Sequence, residues 1–309
     1  MISKSIVAVL LVAGLLAGID AQIRQVILNC QFVNIEILGN ERYGCLLDDV
    51  DINTTFPFYF IRIEGTHMTG QTNADVRNLV LRNSRTSRIP ANIFNVFPNI
   101  EALEVDNVTG ITFIPPDFYF ADNLRTVRIV NLNLPALGPS PFTLAPSIEV
   151  LILENNGMNT LGPNPFGGLV NLQQVSFANN SVQVITPQMT ANLADLRHFD
   201  ASHNNIQQID GRLFINSPDL EIVNFSGNSL TAIGSNILNI NENLAQAWFG
   251  GNNCVDQDFV IGGDVDLAAI RTAMEECFAN SPWGRQISVR VEGSVIIFNE
   301  LNQVIVTID

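Results

Sequence analysis

The chain has 309 residues, 47% of them hydrophobic and 15% charged, with four cysteines and a formal net charge of −15. That hydrophobic fraction excludes an intrinsically disordered chain. An acidic balance of this size repels nucleic acid and anionic membranes, so neither is an expected partner.

Residues 1–21 read as a secretory signal peptide. Lys4 supplies the positive start, residues 6–16 the apolar run, and Ala17, Gly18 and Ala21 the small residues before cleavage. The run is shorter than the roughly 20 residues that span a bilayer. Lys4 is the only lysine, so the chain after residue 21 carries 14 arginines against 29 acids. The C-terminus ends Val-Ile-Val-Thr-Ile-Asp, with no apolar tail for a lipid anchor. The expectation is a secreted, extracellular protein without a membrane span.

Residues 22–57 read as an N-terminal cap. Val26, Leu28, Cys30 and Phe32 alternate like a half-buried strand, Gly39-Asn40 marks a turn, and Tyr43, Cys45 and Leu47 alternate back. Four cysteines allow three pairings. They fall into two local pairs, Cys30 with Cys45 and Cys254 with Cys277, at opposite ends of the intervening segment, and local pairing is the one sterically expected. An even count in an exported chain fits an oxidising compartment.

Residues 58–253 are repetitive. Apolar residues recur every 24 positions at Val76, Ile100, Leu124, Ile148, Leu172, Leu196, Leu220 and Leu244, taken as position 1. Positions 4 and 6 are also apolar, so each unit reads L-x-x-L-x-L, most completely from Ile148 to Leu153. A shorter degenerate unit is expected from Phe58, with Ile61, Ile63 and Met68 in register. Phe94, Phe118, Phe142, Phe166 and Phe214 recur in the returning half and predict a stacked spine, with Thr190 and Leu238 as departures. Asn156, Asn180, Asn204, Asn228 and Asn252 recur at position 9, and an amide that donates and accepts at once predicts a ladder tying successive turns. Ser84, Val108 and Leu132 stand there in the first three units. Prolines in the returning segments favour extended loops over long helices.

The period and pattern resemble the extracellular 24-residue class of leucine-rich repeats. The resemblance covers about residues 58–256 and implies a right-handed, curved leucine-rich-repeat solenoid of the α/β class, mostly β, with a parallel sheet on its concave face. Exposed ends of such a stack need caps. With its paired-cysteine ends, the chain also resembles secreted insect leucine-rich-repeat proteins, some of which act in haemolymph immunity. The mosquito complement-type members pair through a spare cysteine and a coiled coil, and neither feature is visible in this sequence.

Residues 254–285 read as a C-terminal cap in which Leu267, Ile270, Met274 and Cys277 share one helical face. Residues 286–309 read as a β-strand tail of three short strands, either extending that cap or offering an edge to another chain.

Strand residues alternate in direction, so positions 3, 5 and 7 face the concave side. The candidate partner-binding residues are Arg77, Arg82, Glu104, Arg128, Ile152, Glu154, His198, Asp200 and Trp248. Charge alternates in sign along the first four units, which fits cross-strand pairing as well as partner recognition. Trp248 is the large aromatic of its column, either an interface anchor or a contact for the C-terminal cap. His198, Asp200 and Ser202 share one strand face, but regular sheet offers no strained nucleophile and no oxyanion hole. His203 begins the turn, so His198, Asp200 and His203 do not converge on a metal. Sequons at Asn53, Asn107, Asn179 and Asn224 are glycan acceptors in an exported chain. A glycan on Asn224 would block the C-terminal half of the concave face and leave the first four units for binding.

The expected function is binding of an extracellular protein through the concave face, in innate immune recognition, with no enzymatic activity, no metal and no cofactor. The alternatives are a structural or matrix protein self-associating through its C-terminal strands, and a glycan or lipid pattern receptor.

Overall fold

A computed structural model describes residues 24–52, 59–90, 92–262, 266–283, 287–291, 294–298 and 304–308. The expected signal peptide and the sequon at Asn53 lie outside them.

In chain order the cap contributes β1 (Arg24–Asn29), β2 (Gln31–Ile37), β3 (Asn40–Asp48), β4 (Asp51–Ile52) and β5 (Tyr59–Glu64). The repeats then supply β6 (Asn78–Arg82), β7 (Arg85–Thr86), the one-turn α1 (Ile93–Val96), β8 (Ala102–Asp106), β9 (Thr126–Val130), β10 (Ala136–Leu137) and β11 (Val150–Ile152). They continue through β12 (Thr160–Leu161), β13 (Gln174–Ser176), β14 (His198–Asp200), β15 (Gln208–Ile209), β16 (Ile222–Asn224), β17 (Ala232–Ile233) and β18 (Gln246–Trp248). The C-terminal part adds β19 (Asp258–Val260), α2 (Leu267–Ala273), α3 (Glu275–Ala279), β20 (Ile287–Val291), β21 (Ser294–Phe298) and β22 (Val304–Ile308).

One 11-stranded sheet runs the length of the molecule in the order β2-β3-β6-β8-β9-β11-β13-β14-β16-β18-β19. From β3 to β18 every pairing is parallel, and the register advances by one 24-residue period per turn, Leu79 to Leu103 to Val127 to Leu151. Parallel strands need a crossover between them, and here each crossover is the returning half of a repeat. The molecule is a leucine-rich-repeat β-solenoid.

Position-4 and position-6 side chains alternate inward and are buried from Leu79 to Phe249. The phenylalanine spine forms as the sequence predicts, with Phe94, Phe118, Phe142, Phe166 and Phe214 all buried. At the gap in the spine, Thr190 is buried and its hydroxyl donates to the Leu213 carbonyl.

The asparagine ladder is also present. Asn204 Nδ2 donates to the carbonyls of Phe177 (3.0 Å) and Ala201 (3.1 Å), while its Oδ1 accepts from Val182 N–H at 2.9 Å. Asn228 and Asn252 repeat those bonds one and two turns on. The first turns find other partners: Ser84 Oγ donates to the Arg82 carbonyl and accepts from Val50 N–H, and Leu132 N–H is held by Asn156 Oδ1. Asn204→Leu leaves several buried backbone groups without partners at once. We expect a loss of about 2–4 kcal/mol, from about 1–3 kcal/mol for each unsatisfied group with partial relaxation. Denaturant unfolding measures this, with exposed Asn205→Ala as the neutral control.

Position 8 is a second backbone signature. Asn83, Asn107, Asn131, Asn155, Asn179, His203, Gly227 and Gly251 all have positive φ, between 49° and 74°. The chain turns off the strand there, in a conformation open to asparagine and glycine and costly for most other residues.

The ends depart from the sequence reading. The stretch from Val26 to Phe32 is not one strand: β1 pairs in parallel with β5 in a separate two-stranded sheet, and β2 forms an antiparallel hairpin with β3. The shortened unit expected from Phe58 therefore does not enter the concave sheet. β3 fills the place next to β6, β5 pairs with β1 instead, and Met68 is exposed. Disulfides Cys30–Cys45 and Cys254–Cys277 lie near the two ends. Ile270, Met274 and Cys277 are buried on one side of the C-terminal helices, with Asp266 capping α2 through a 2.9 Å bond from Ala269 N–H. β20, β21 and β22 form a separate antiparallel sheet. Among the described residues no helix is long and apolar enough to cross a membrane.

Candidate functional site

The N-terminal end of the concave face is covered by the chain itself. Ile37, Val80 and Ala102 are buried together, with Ile35 and Leu46 against them, in a small core separate from the solenoid interior. Asn78 Nδ2 fixes the β2–β3 hairpin there by donating to the carbonyls of Ile35 (2.8 Å) and Asn40 (3.3 Å). Position 5 of the first repeat is thus closed to a partner.

The charges of the next turns are spent on one another. Glu104 is 6% exposed and accepts from Arg82 Nη2 at 2.9 Å and Arg128 Nη1 at 2.8 Å. Arg82 also lies 3.7 Å from Asp106, which accepts from Asn131 Nδ2. Two guanidiniums satisfy this buried side chain and offset the cost of its burial. Arg82, Glu104 and Arg128 are therefore brought together as an internal network.

Arg77 precedes β6 and belongs to the rim of the sheet. It pairs with Glu101 at 3.2 Å, and the same column holds Arg125 with Glu149 and Arg197 with Glu221. Sequence reasoning missed this column, although sign alternation at position 2 was there to find. Such exposed pairs each contribute about 0–1 kcal/mol.

From the fourth turn onward the face changes character. Ile152 is buried, and Glu154 accepts from Ser176 Oγ at 2.6 Å. Asp200 accepts from Ser202 N–H (2.8 Å) and Asn224 Nδ2 (3.2 Å), and His198 Nε2 lies 3.6 Å from Glu221. Ser202 is buried, so His198, Asp200 and Ser202 form no nucleophile–base relay. Among the described residues no cluster of His, Cys, Asp or Glu could hold a metal.

Around His198 the face is half-exposed, and its uncharged residues have Asp200, Glu221 and Asp258 beside them. His198 pairs in register with Ile222, and Ile222 with Gln246; Asn224 pairs with Trp248. All five are partly exposed. Trp248 Nε1 donates to Gln246 Oε1 at 3.3 Å, and β19 continues the sheet beyond it. Ile222 was missed from sequence because position 3 varies from repeat to repeat and carries no recurrent signal.

The described sequons differ. Asn107 and Asn179 are exposed at position 8, with φ of 53° and 55°. Asn224 is half-buried, and its Oδ1 accepts from the backbone and the hydroxyl of Ser226.

A leucine rich repeat family model matches residues 146–206 and 171–230. Among solved structures, a chain of the LRIM1/APL1C complex is similar with a TM-score of 0.54 at 19% identity, covering 74% of this chain and 39% of that one. A chain of the TLR13–ssRNA13 complex has a TM-score of 0.51 at 19% identity, covering 59% of this chain and 26% of that one. This chain thus spans well under half of either solved chain, and the likeness is one of fold. No curated protein matches the sequence.

Proposed function

We propose that this leucine-rich-repeat solenoid is an extracellular protein-binding module of innate immune recognition, engaging its partner with the C-terminal half of the concave face. The observation that carries the reading is the half-exposed patch of His198, Ile222, Gln246, Asn224 and Trp248. It sits on a parallel sheet, separated by β11 and β13 from a charged network already satisfied from within. Interface cores are depleted in charge and enriched in aromatic anchors. The solved chains of similar fold come from complexes with another macromolecule, a protein in one and an RNA in the other. A net charge of −15 disfavours RNA and leaves protein.

This placement inverts the sequence expectation that the first four units bind. Among the described sequons, Asn107 and Asn179 are then the ones best placed for glycans, because both are exposed and off the concave patch. Trp248→Ala is expected to weaken a captured partner by at least about 2 kcal/mol, roughly thirtyfold in Kd. Arg77→Ala on the rim is expected to change it less than threefold. Affinity measured for both variants checks the reading, and equal losses would remove it.

Self-association is a second reading. β20–β21–β22 form their own sheet, and neither outer strand pairs with another element among the described residues. A constant monomer mass in light scattering across concentration removes that reading.

A further inference from the structure

We propose that the returning side of the first four repeats is a second interface, on which two copies of this chain pair about a two-fold axis at the Tyr119–Phe120 corner. It is independent of the concave patch. At positions 20 and 21 only the second unit carries aromatics, Tyr119 and Phe120. The fourth unit has Gly167 and Gly168 there and keeps the same spine and sheet register, so the scaffold does not require the two rings. Phe120 also has a φ of 66°, a left-handed conformation that Gly168 adopts at the same position with a φ of 90°. A bulky side chain is an outlier in that region, and such outliers gather at functional sites.

The corner is exposed and fixed. Phe120 is 58% exposed, Tyr119 49% and Ile114 40%, and the two rings lie 6.2 Å apart. Beneath them Phe118 is buried between Phe94 and Phe142, at 6.4 and 5.1 Å. Pro115 and Pro116 open the 3-10 turn that carries the corner, and buried Asp117 closes it by accepting from Ile114 N–H. Aromatic groups already held in place lose little freedom on binding.

The surface around the corner is depleted in charge. The returning segments 89–100, 113–124, 137–148 and 161–172 hold two charged residues in 48, where the chain's average of 15% would place about seven. One is Asp117, closed off by Arg88, and the other is the exposed Asp122. None of the four sequons lies in these segments. Interface centres are likewise poor in charge and rich in aromatics. Together the segments present 25 residues at least partly exposed, within the about 20–30 that a standard interface uses on each side.

Charge also selects the occupant. A chain of net charge −15 repels its own copy over most of its surface, and this face is where two copies meet with few opposing charges. Two-fold pairing makes one patch its own complement. It sets Tyr119 and Phe120 of one copy beside those of the other, with half-buried Val96 and Leu144 one turn to either side.

The test is sedimentation equilibrium of the full chain from a glycosylating host, between about 1 and 100 µM, where many interfaces of standard size are populated. Wild type is expected to pass from monomer to dimer and no further. Phe120→Gly, which suits the local φ, and Thr143→Asp, which puts a charge on the face one turn away, are each expected to weaken the dimer at least tenfold with unfolding temperature unchanged. Val184→Asp adds the same charge at an exposed site outside the face and is expected to leave Kd within twofold. A wild type that stays monomeric throughout overturns the proposal. So does a dimer that Phe120→Gly and Thr143→Asp both leave intact, or one that Val184→Asp weakens as much as Thr143→Asp does.

Discussion

Phe199→Ala is expected to destabilise the protein by about 3–5 kcal/mol, the usual range for emptying a fully buried aromatic site. Phe199 sits at position 4 of the sixth repeat and is 1% exposed. Its ring centroid lies 5.5 Å from Phe177, 5.1 Å from Phe214 and 5.6 Å from Phe225. It therefore joins the strand-side core to the phenylalanine spine and to both neighbouring turns. Alanine removes contacts with three rings, and neighbours held at fixed register cannot collapse into the void. Denaturant unfolding measures the loss. A cost below about 1 kcal/mol would mean that the interior at this turn is loose.

The second large effect concerns a buried ion pair across the returning side. Asp117 is 2% exposed, and Arg88 grips it with Nε at 2.9 and 3.0 Å and Nη2 at 2.7 Å. Its Oδ2 also accepts from Ile114 N–H at 2.9 Å. Arg88→Met strands a buried carboxylate and is expected to cost about 3–5 kcal/mol near neutral pH. Arg125→Met, which breaks an exposed pair with Glu149, should cost less than about 1 kcal/mol.

The pH dependence has a definite sign. Burial outweighs the bonds and charge from Arg88 and holds the Asp117 carboxyl above its ordinary value. A carboxyl raised on folding binds its proton more tightly in the folded chain. Its contribution to stability is present below the ordinary carboxylate range and is lost as pH rises through the raised folded value. Removing Arg88 moves that value higher still. The deficit of the variant should therefore shrink as pH falls through the acidic range, and a deficit constant with pH would contradict the assignment.

The repetitive part of this fold is legible because its physics is periodic. Leu151, Phe166 and Asn180 each satisfy a need that returns every 24 residues, so one unit read correctly is nearly all of them. The ends follow no period. Ile35 and Ile37 alternate as any half-buried strand does, and nothing local says that they cover Val80 and Ala102 rather than the solenoid's open end. Pairing of Arg24–Asn29 with Tyr59–Glu64 joins segments 35 residues apart and leaves no short-range trace. The candidate site shows the same division. Trp248 and His198 stand out as residue types at concave positions, whereas Ile222 emerges only when its strand neighbours are known. Arg82, Glu104 and Arg128 have the composition of a binding stripe, and only their distances reveal that they satisfy one another.

Cross-link mapping on a captured complex tests the central claim most directly. After residue 21 the chain carries no lysine, so a carboxyl-directed reagent is required, and the acids around the patch are suitable reporters. Purified protein is incubated with the extracellular fluid of its source, cross-linked, and the joined peptides identified by mass spectrometry. The account predicts a foreign protein joined through Asp200, Glu221 or Asp258, all beside the His198–Ile222–Trp248 patch. Cross-links confined to returning-side acids such as Asp122 and Asp195, or joining only copies of this chain, would contradict it.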